Sequence, residues 1–242
     1  MKKVFLFTVL SLCSAVVFAQ FAIVSDKDGY VNVRSSPEIK KDNIIDTLHN
    51  GSLVYVMEDL NKENWKNIDF KGRLNGYVYE NRIKYISDYQ IIPQIFTNYL
   101  SSPYEFNDSV GKIIFSNKTI EVEIKTRKFD SSKHTITYAH DGGEWVFVYK
   151  IDGKNYWGSD GIIPEYEYEY ISITINDSKY FLPNKAIKNL FAPNFYWTKA
   201  NYDKENDILY IQSMNGDGAY GYVVAWKIEK GIYKERLIIY GF

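Results

Sequence analysis

The stretch Gly29-Tyr-Val-Asn-Val-Arg-Ser-Ser-Pro37 leaves the chain little choice but a strand that runs into a turn. Val31 and Val33 fall on one side, and Tyr30, Asn32 and Arg34 on the other, the period of two of a half-buried strand. Pro37 has no amide hydrogen and biases Ser36 away from helix, so the ladder stops there. The pattern recurs: short apolar runs alternate with Asn-Gly, Asp-Gly and Lys-Gly pairs, which is turn chemistry. The 22 tyrosines, 14 phenylalanines and 5 tryptophans suit pleated surfaces better than helices. We expect a mainly β protein.

Met1 to Ala19 reads as a secretory signal peptide. Lys2 and Lys3 form its positive start, Val4 to Leu12 its apolar run, and Val17-Phe18-Ala19 the cleavage site, with Gln20 first in the mature chain. A membrane anchor is the alternative, but the run is short. A lipoprotein signal at Cys13 would want a small residue where Leu12 stands. Cys13 is the only cysteine and leaves with the leader, so no disulfide or thiolate metal site is expected. Loss of Lys2 and Lys3 changes 29 basic against 30 acidic residues to 27 against 30, a net charge near −3. That argues against general nucleic-acid binding. No later run is long and apolar enough to span a membrane. The expected location is secreted or periplasmic.

From Gln20 to Asp88 we expect a small domain of short strands: Phe21–Ser25, Val31–Val33, Ile44–Leu48, Ser52–Met57, Trp65–Phe70 and Gly76–Tyr79, with one helical turn at Asn81–Ile83. Four elements in order resemble the bacterial SH3-like (SH3b) family: Gly29 to Pro37, Gly51 opening Leu53-Val-Tyr-Val56, Trp65, and Gly76-Tyr-Val78 with Ile83 behind it. The chain departs from the family at Ser36, where glycine is usual, and at Tyr77, where tryptophan is commoner. The resemblance implies a small SH3-like barrel and an extracytoplasmic binding module rather than a catalyst. It places ligand contacts at Asn32 and Arg34 on the strand, Glu38 and Asp42 in the excursion after it, and Trp65, Tyr77 and Tyr79. For each, a role internal to the fold is the alternative, such as an Arg34–Asp46 bridge.

A linker with a short helix is expected over 89–103, since Ile91, Ile95, Phe96 and Tyr99 have helical spacing near Pro93. Residues 104–242 then read as a larger antiparallel β domain with one short helix, Lys185–Phe191, between Pro183 and Pro193.

Three patterns in this second part bear on chemistry. Glu165, Glu167 and Glu169 alternate with Tyr166, Tyr168 and Tyr170, which puts three carboxylates along one strand face. They could bind a cation or a basic partner, serve as an acid/base pair at sugar-cleaving distance, or be a solvated face that protects an edge. Tyr220, Tyr222 and Trp226 share a face as an aromatic platform or as core. His134 and His140 lie too far apart on one strand for a single metal ion, and no metal site or cofactor is expected.

The expected function is an exported, non-catalytic binding protein of the cell envelope, its SH3b module taking cell-wall peptide or a protein partner. The alternatives are an inhibitor or immunity protein against a partner enzyme, using the glutamate strand and the aromatic face, and a cell-wall hydrolase using second-domain carboxylates.

Overall fold

The structure is a computed structural model and describes residues 20–57, 62–72, 74–97, 111–216 and 221–240. The leader read over Met1 to Ala19, and Tyr220, lie outside these residues. The chain is mainly β, as expected, in several antiparallel sheets. Among the described residues no helix is long and apolar enough to cross a membrane.

Seven strands make the first sheet: β1 (Gln20–Val24), β2 (Tyr30–Arg34), β3 (Ile44–His49), β4 (Leu53–Val56), β5 (Trp65–Phe70), β6 (Leu74–Tyr79) and β7 (Ile83–Tyr85). Their order is β3-β2-β6-β5-β4-β1-β7. The expected barrel does not close: β3 and β7 remain the two edges. The alternation of β2 is as read, with Val31 and Val33 buried. With Val54, Ile68, Phe70 and Val78 they fill the concave face. Asn81–Ile83 was expected to hold a helical turn, and a 3-10 turn occupies Glu80–Arg82.

The bridging helix expected within 89–103 is replaced by two strands, β8 (Gln90–Ile92) and β9 (Gln94–Thr97), with Pro93 between them. Neither pairs with the other. β8 pairs with β16 (Lys199–Asp203), more than a hundred residues on, and β9 with β10 (Lys112–Ser116). The long-range pairing overrides the helical spacing, because each short strand finds its backbone partners on a different sheet.

Those two sheets form a sandwich. One runs β15-β14-β11-β10-β9, with β11 (Ile120–Lys128), β14 (Tyr166–Ile175) and β15 (Ser178–Phe181). The other runs β19-β18-β17-β16-β8, with β17 (Ile208–Asn215), β18 (Tyr222–Glu229) and β19 (Ile232–Tyr240). Ile113, Val122, Ile171, Ile211, Val224 and Trp226 interlock between them. A separate hairpin, β12 (Ile136–His140) and β13 (Val146–Ile151), packs through Val148 and Ile151 onto Tyr156 and Phe191.

The helix expected over Lys185–Phe191 shrinks to one 3-10 turn, Asn184–Ala186. The chain then extends so that the Phe191 amide donates to the Trp157 carbonyl at 2.9 Å and the Trp157 amide to the Asn189 carbonyl at 3.1 Å. Gly158 sits at φ +99°, and a Cβ there would stand 2.2 Å from the Phe191 carbonyl oxygen. Only glycine permits that approach.

The first sheet does not stand apart from the sandwich. Phe21, Ile23, Leu53, Tyr55 and Ile86 share one apolar cluster with Tyr210, Val223, Ala225, Leu237 and Ile239 of the last three strands. Tyr89 stacks on Tyr210 at 5.5 Å, and Lys227 Nζ donates to the Gly51 carbonyl at 2.8 Å.

Candidate functional site

The convex face of the first sheet divides into a covered and an open half. Register defines it: Phe21 opposes Tyr55, Tyr55 opposes Asp69, Asn67 opposes Tyr77, Trp65 opposes Tyr79, and Arg34 opposes Tyr77. Opposed residues of antiparallel strands point to one side, so these side chains form a single surface. The β1 and β4 end is pressed onto β17, β18 and β19. The β5, β6 and β2 end, with Trp65, Tyr77, Tyr79, Arg34 and Asn32, is half-exposed. Tyr55 marks the divide; burial first, and then the Asp69 carboxylate, push its phenol up to about 12.

The open half carries rings over a braced polar floor. Trp65 meets Tyr79 edge-on at 5.3 Å and 81°. Beside them Asn67 and Asn75 exchange amide hydrogen bonds of 3.0 and 2.7 Å, and Asn75 also donates to Asp69 at 2.8 Å. Asn32 accepts from Thr47 Oγ1 at 3.1 Å.

Arg34 organises the excursion beside this face. Its Nη1 donates to the Lys40 carbonyl and, at 2.7 Å, to Asn43 Oδ1. The alternative Arg34–Asp46 bridge is not formed, since Asp46 pairs with Lys71 at 2.5 Å. Glu38 is exposed and bound to Lys40 at 2.8 Å and Ser36 at 3.1 Å; its hydrogen bonds to Lys40 and then Ser36 hold its carboxyl below the ordinary range. Asp42 is exposed on the same excursion. The sequence reading missed Asn43, the buried hub of that loop, whose Nδ2 donates to Ser36 Oγ and the Glu38 carbonyl, both at 3.0 Å. It also missed the Asn67–Asn75 pair. The signal for both was an asparagine inside or abutting a strand, where a buried amide needs partners.

The glutamate row is corrected. The register between β11 and β14 slips so that Lys125 opposes Tyr170 and Thr126 opposes Tyr168, leaving Glu169 unopposed. The slip turns Tyr170 away from the core side of Tyr168 onto the face of Glu123, Lys125 and Arg127, where its hydroxyl donates to Glu123, and the glutamates on that face are held by basic partners within the fold instead of forming an open acidic surface. Glu165 is exposed, Glu169 pairs with Lys125 at 3.0 Å, and Glu167 is buried. Glu167 accepts from Arg127 Nε at 2.8 Å and lies 3.7 Å from His134 Nε2. His134 stacks on Phe129 at 4.6 Å, and its Nδ1 is 3.2 Å from Asp152 Oδ2. This cluster ties the β12–β13 hairpin to the sandwich. Among the described residues no group of three or more His, Cys, Asp or Glu is arranged to hold a metal ion.

Burial raises the Asp152 carboxyl, but the Thr135 amide, His134 and Lys188 outweigh it, and the net is below the ordinary value. A depressed folded value stabilises the fold above the unfolded carboxylate range, near 3.9, and the gain is lost as pH falls through the folded value. Asp152→Asn should therefore melt below the wild type at pH 6, and the gap should close toward pH 3. A gap that stays constant across that range, read by thermal denaturation, would remove Asp152 from the account.

Tyr222 and Trp226 are buried completely, so these two rings of the expected aromatic platform are core rather than a partner surface. The Tyr222 hydroxyl donates to the Phe191 carbonyl at 3.0 Å, and Trp226 Nε1 to the Ala186 carbonyl at 2.6 Å. Comparison with protein-family models, with curated proteins and with solved structures gives no match.

Proposed function

We propose that the chain is an exported, non-catalytic binding protein of the cell envelope, and that the open half of the first sheet takes a cell-wall peptide or an envelope protein. One observation carries this reading: Trp65, Tyr77 and Tyr79 stay half-exposed together on a surface whose other half is anchored to a sandwich. Aromatic rings on a rigid support bind extended ligands at low entropic cost. Arg34, fixed by the excursion, and Asn32 supply polar contacts at the rim. The leader-like Met1 to Ala19 and the SH3b-like order of Gly29–Pro37, Gly51, Trp65 and Gly76–Val78 point the same way.

Retention on purified peptidoglycan tests it. The chain from Gln20 onward should be retained, and Trp65→Ala should reduce retention about tenfold or more, the loss of roughly 1.4 kcal/mol or more of binding, while remaining folded by circular dichroism. Absence of retention, or equal retention of the variant, would contradict the wall-peptide reading. The inhibitor alternative loses its acidic strand, because Glu167 and Glu169 are engaged within the fold.

A further inference from the structure

We propose that one open end of the sandwich is a binding site for a small acidic sugar of the hexuronate type. This site is separate from the first sheet and does not rest on the reading above.

Three turns meet at this end: the β10–β11 turn with Lys118, the β14–β15 turn with Asn176, and the β16–β17 turn with Lys204 and Asp207. They enclose a groove of about 510 Å³, within the range of small-molecule sites. Both sheets contribute, so the walls are held by the core beneath. Ile175 and Tyr202 give the groove apolar lining and are partly buried against that core. Apolar lining beside polar groups suits a pyranose, which has apolar C–H faces and a hydroxyl edge.

The wall chemistry is that of hydroxyl recognition with a surplus of positive charge. Gln90 and Asn176 line the groove with amides, each able to donate and accept. Lys118 and Lys204 rise from opposite sheets, and neither forms an ion pair among the described residues. The carboxylate in the lining is Asp207, and one of its oxygens already accepts from the Tyr202 hydroxyl at 2.8 Å. Two ammonium groups against one engaged carboxylate favour an anion, and the amides favour one that carries hydroxyls. A hexuronate joins both properties on a ring of the right size.

Nitrogen-15 NMR on the chain from Gln20 onward tests this, with sodium glucuronate as the probe and glucose and sodium acetate as the two halves of its chemistry. Glucuronate should move the amide signals of Lys118, Asn176 and Lys204 saturably in the millimolar range. Glucose and acetate should each bind about tenfold or more weakly. The pair Lys118→Glu and Lys204→Glu, both on exposed turns, should leave the rest of the spectrum in place and abolish the response. No saturable shift up to ~50 mM, far above a millimolar Kd, would overturn the proposal. So would acetate or glucose matching glucuronate, shifts confined to other residues, or an unchanged response in the double variant.

Discussion

Trp226→Ala should lower the melting temperature by roughly 6–20 °C, the effect of about 3–5 kcal/mol in a chain of this size. Trp226 is fully buried between the two sheets of the sandwich, edge-on to Tyr168 at 5.7 Å. Alanine would leave a cavity that the surrounding β-sheets, pinned by their own ladders, cannot collapse into. It would also delete the indole bond to the Ala186 carbonyl, which Arg236 Nη1 alone would then hold at 2.9 Å. That carbonyl anchors the 3-10 turn after β15, so the loss should reach the Lys188–Phe191 segment that Arg236 also clasps through the Lys188 carbonyl. Trp226→Phe should recover part of the loss, because it restores part of the ring volume without the hydrogen bond. A melting temperature unchanged in Trp226→Ala would mean that the ring is not in the core.

The segment Gln20–Asp88 produced alone should fail to form a stable domain. Its concave core is retained, but Phe21, Ile23, Leu53, Tyr55 and Ile86 lose the partners that β17, β18 and β19 supply. Burial of an apolar side chain contributes roughly 1.5–3 kcal/mol, so four or five such losses rival the ~5–15 kcal/mol net stability of a whole domain. The expected signs are binding of a hydrophobic dye, self-association and poor amide dispersion in solution NMR. A well-dispersed, monomeric spectrum would show that the concave core suffices. A domain of about seventy residues has little core to spare in any case.

Local pattern made some of the structure legible and left the rest out of reach. The alternation at Val31 and Val33 is a strand, and the pairs Asn50-Gly51 and Asp152-Gly153 are tight turns, where the sequence places them, because side-chain parity and turn dihedrals are decided within a few residues. What failed depended on distant partners. Ile91, Ile95 and Phe96 have helical spacing, yet β16 and β10 draw the backbone into two sheets. The parity of the Glu–Tyr run breaks at Glu169, since a register slip against β11 is invisible in β14 alone. The open aromatic face was partly legible: Trp65, Tyr77 and Tyr79 were singled out, and register unites them. Which half of that face is covered could not be read, because the cover comes from residues 208–240.

That cover is what the account turns on, and native-state hydrogen exchange of the intact chain across a denaturant series tests it most directly. If the first sheet is completed by the last three strands, the slowest amides of β1 and β4 and those of β17 and β18 should converge on one opening free energy as denaturant rises. If β1 and β4 instead open well before β17 and β18, or stay protected after those have exchanged, the first sheet is an autonomous module and the shared core does not join the two.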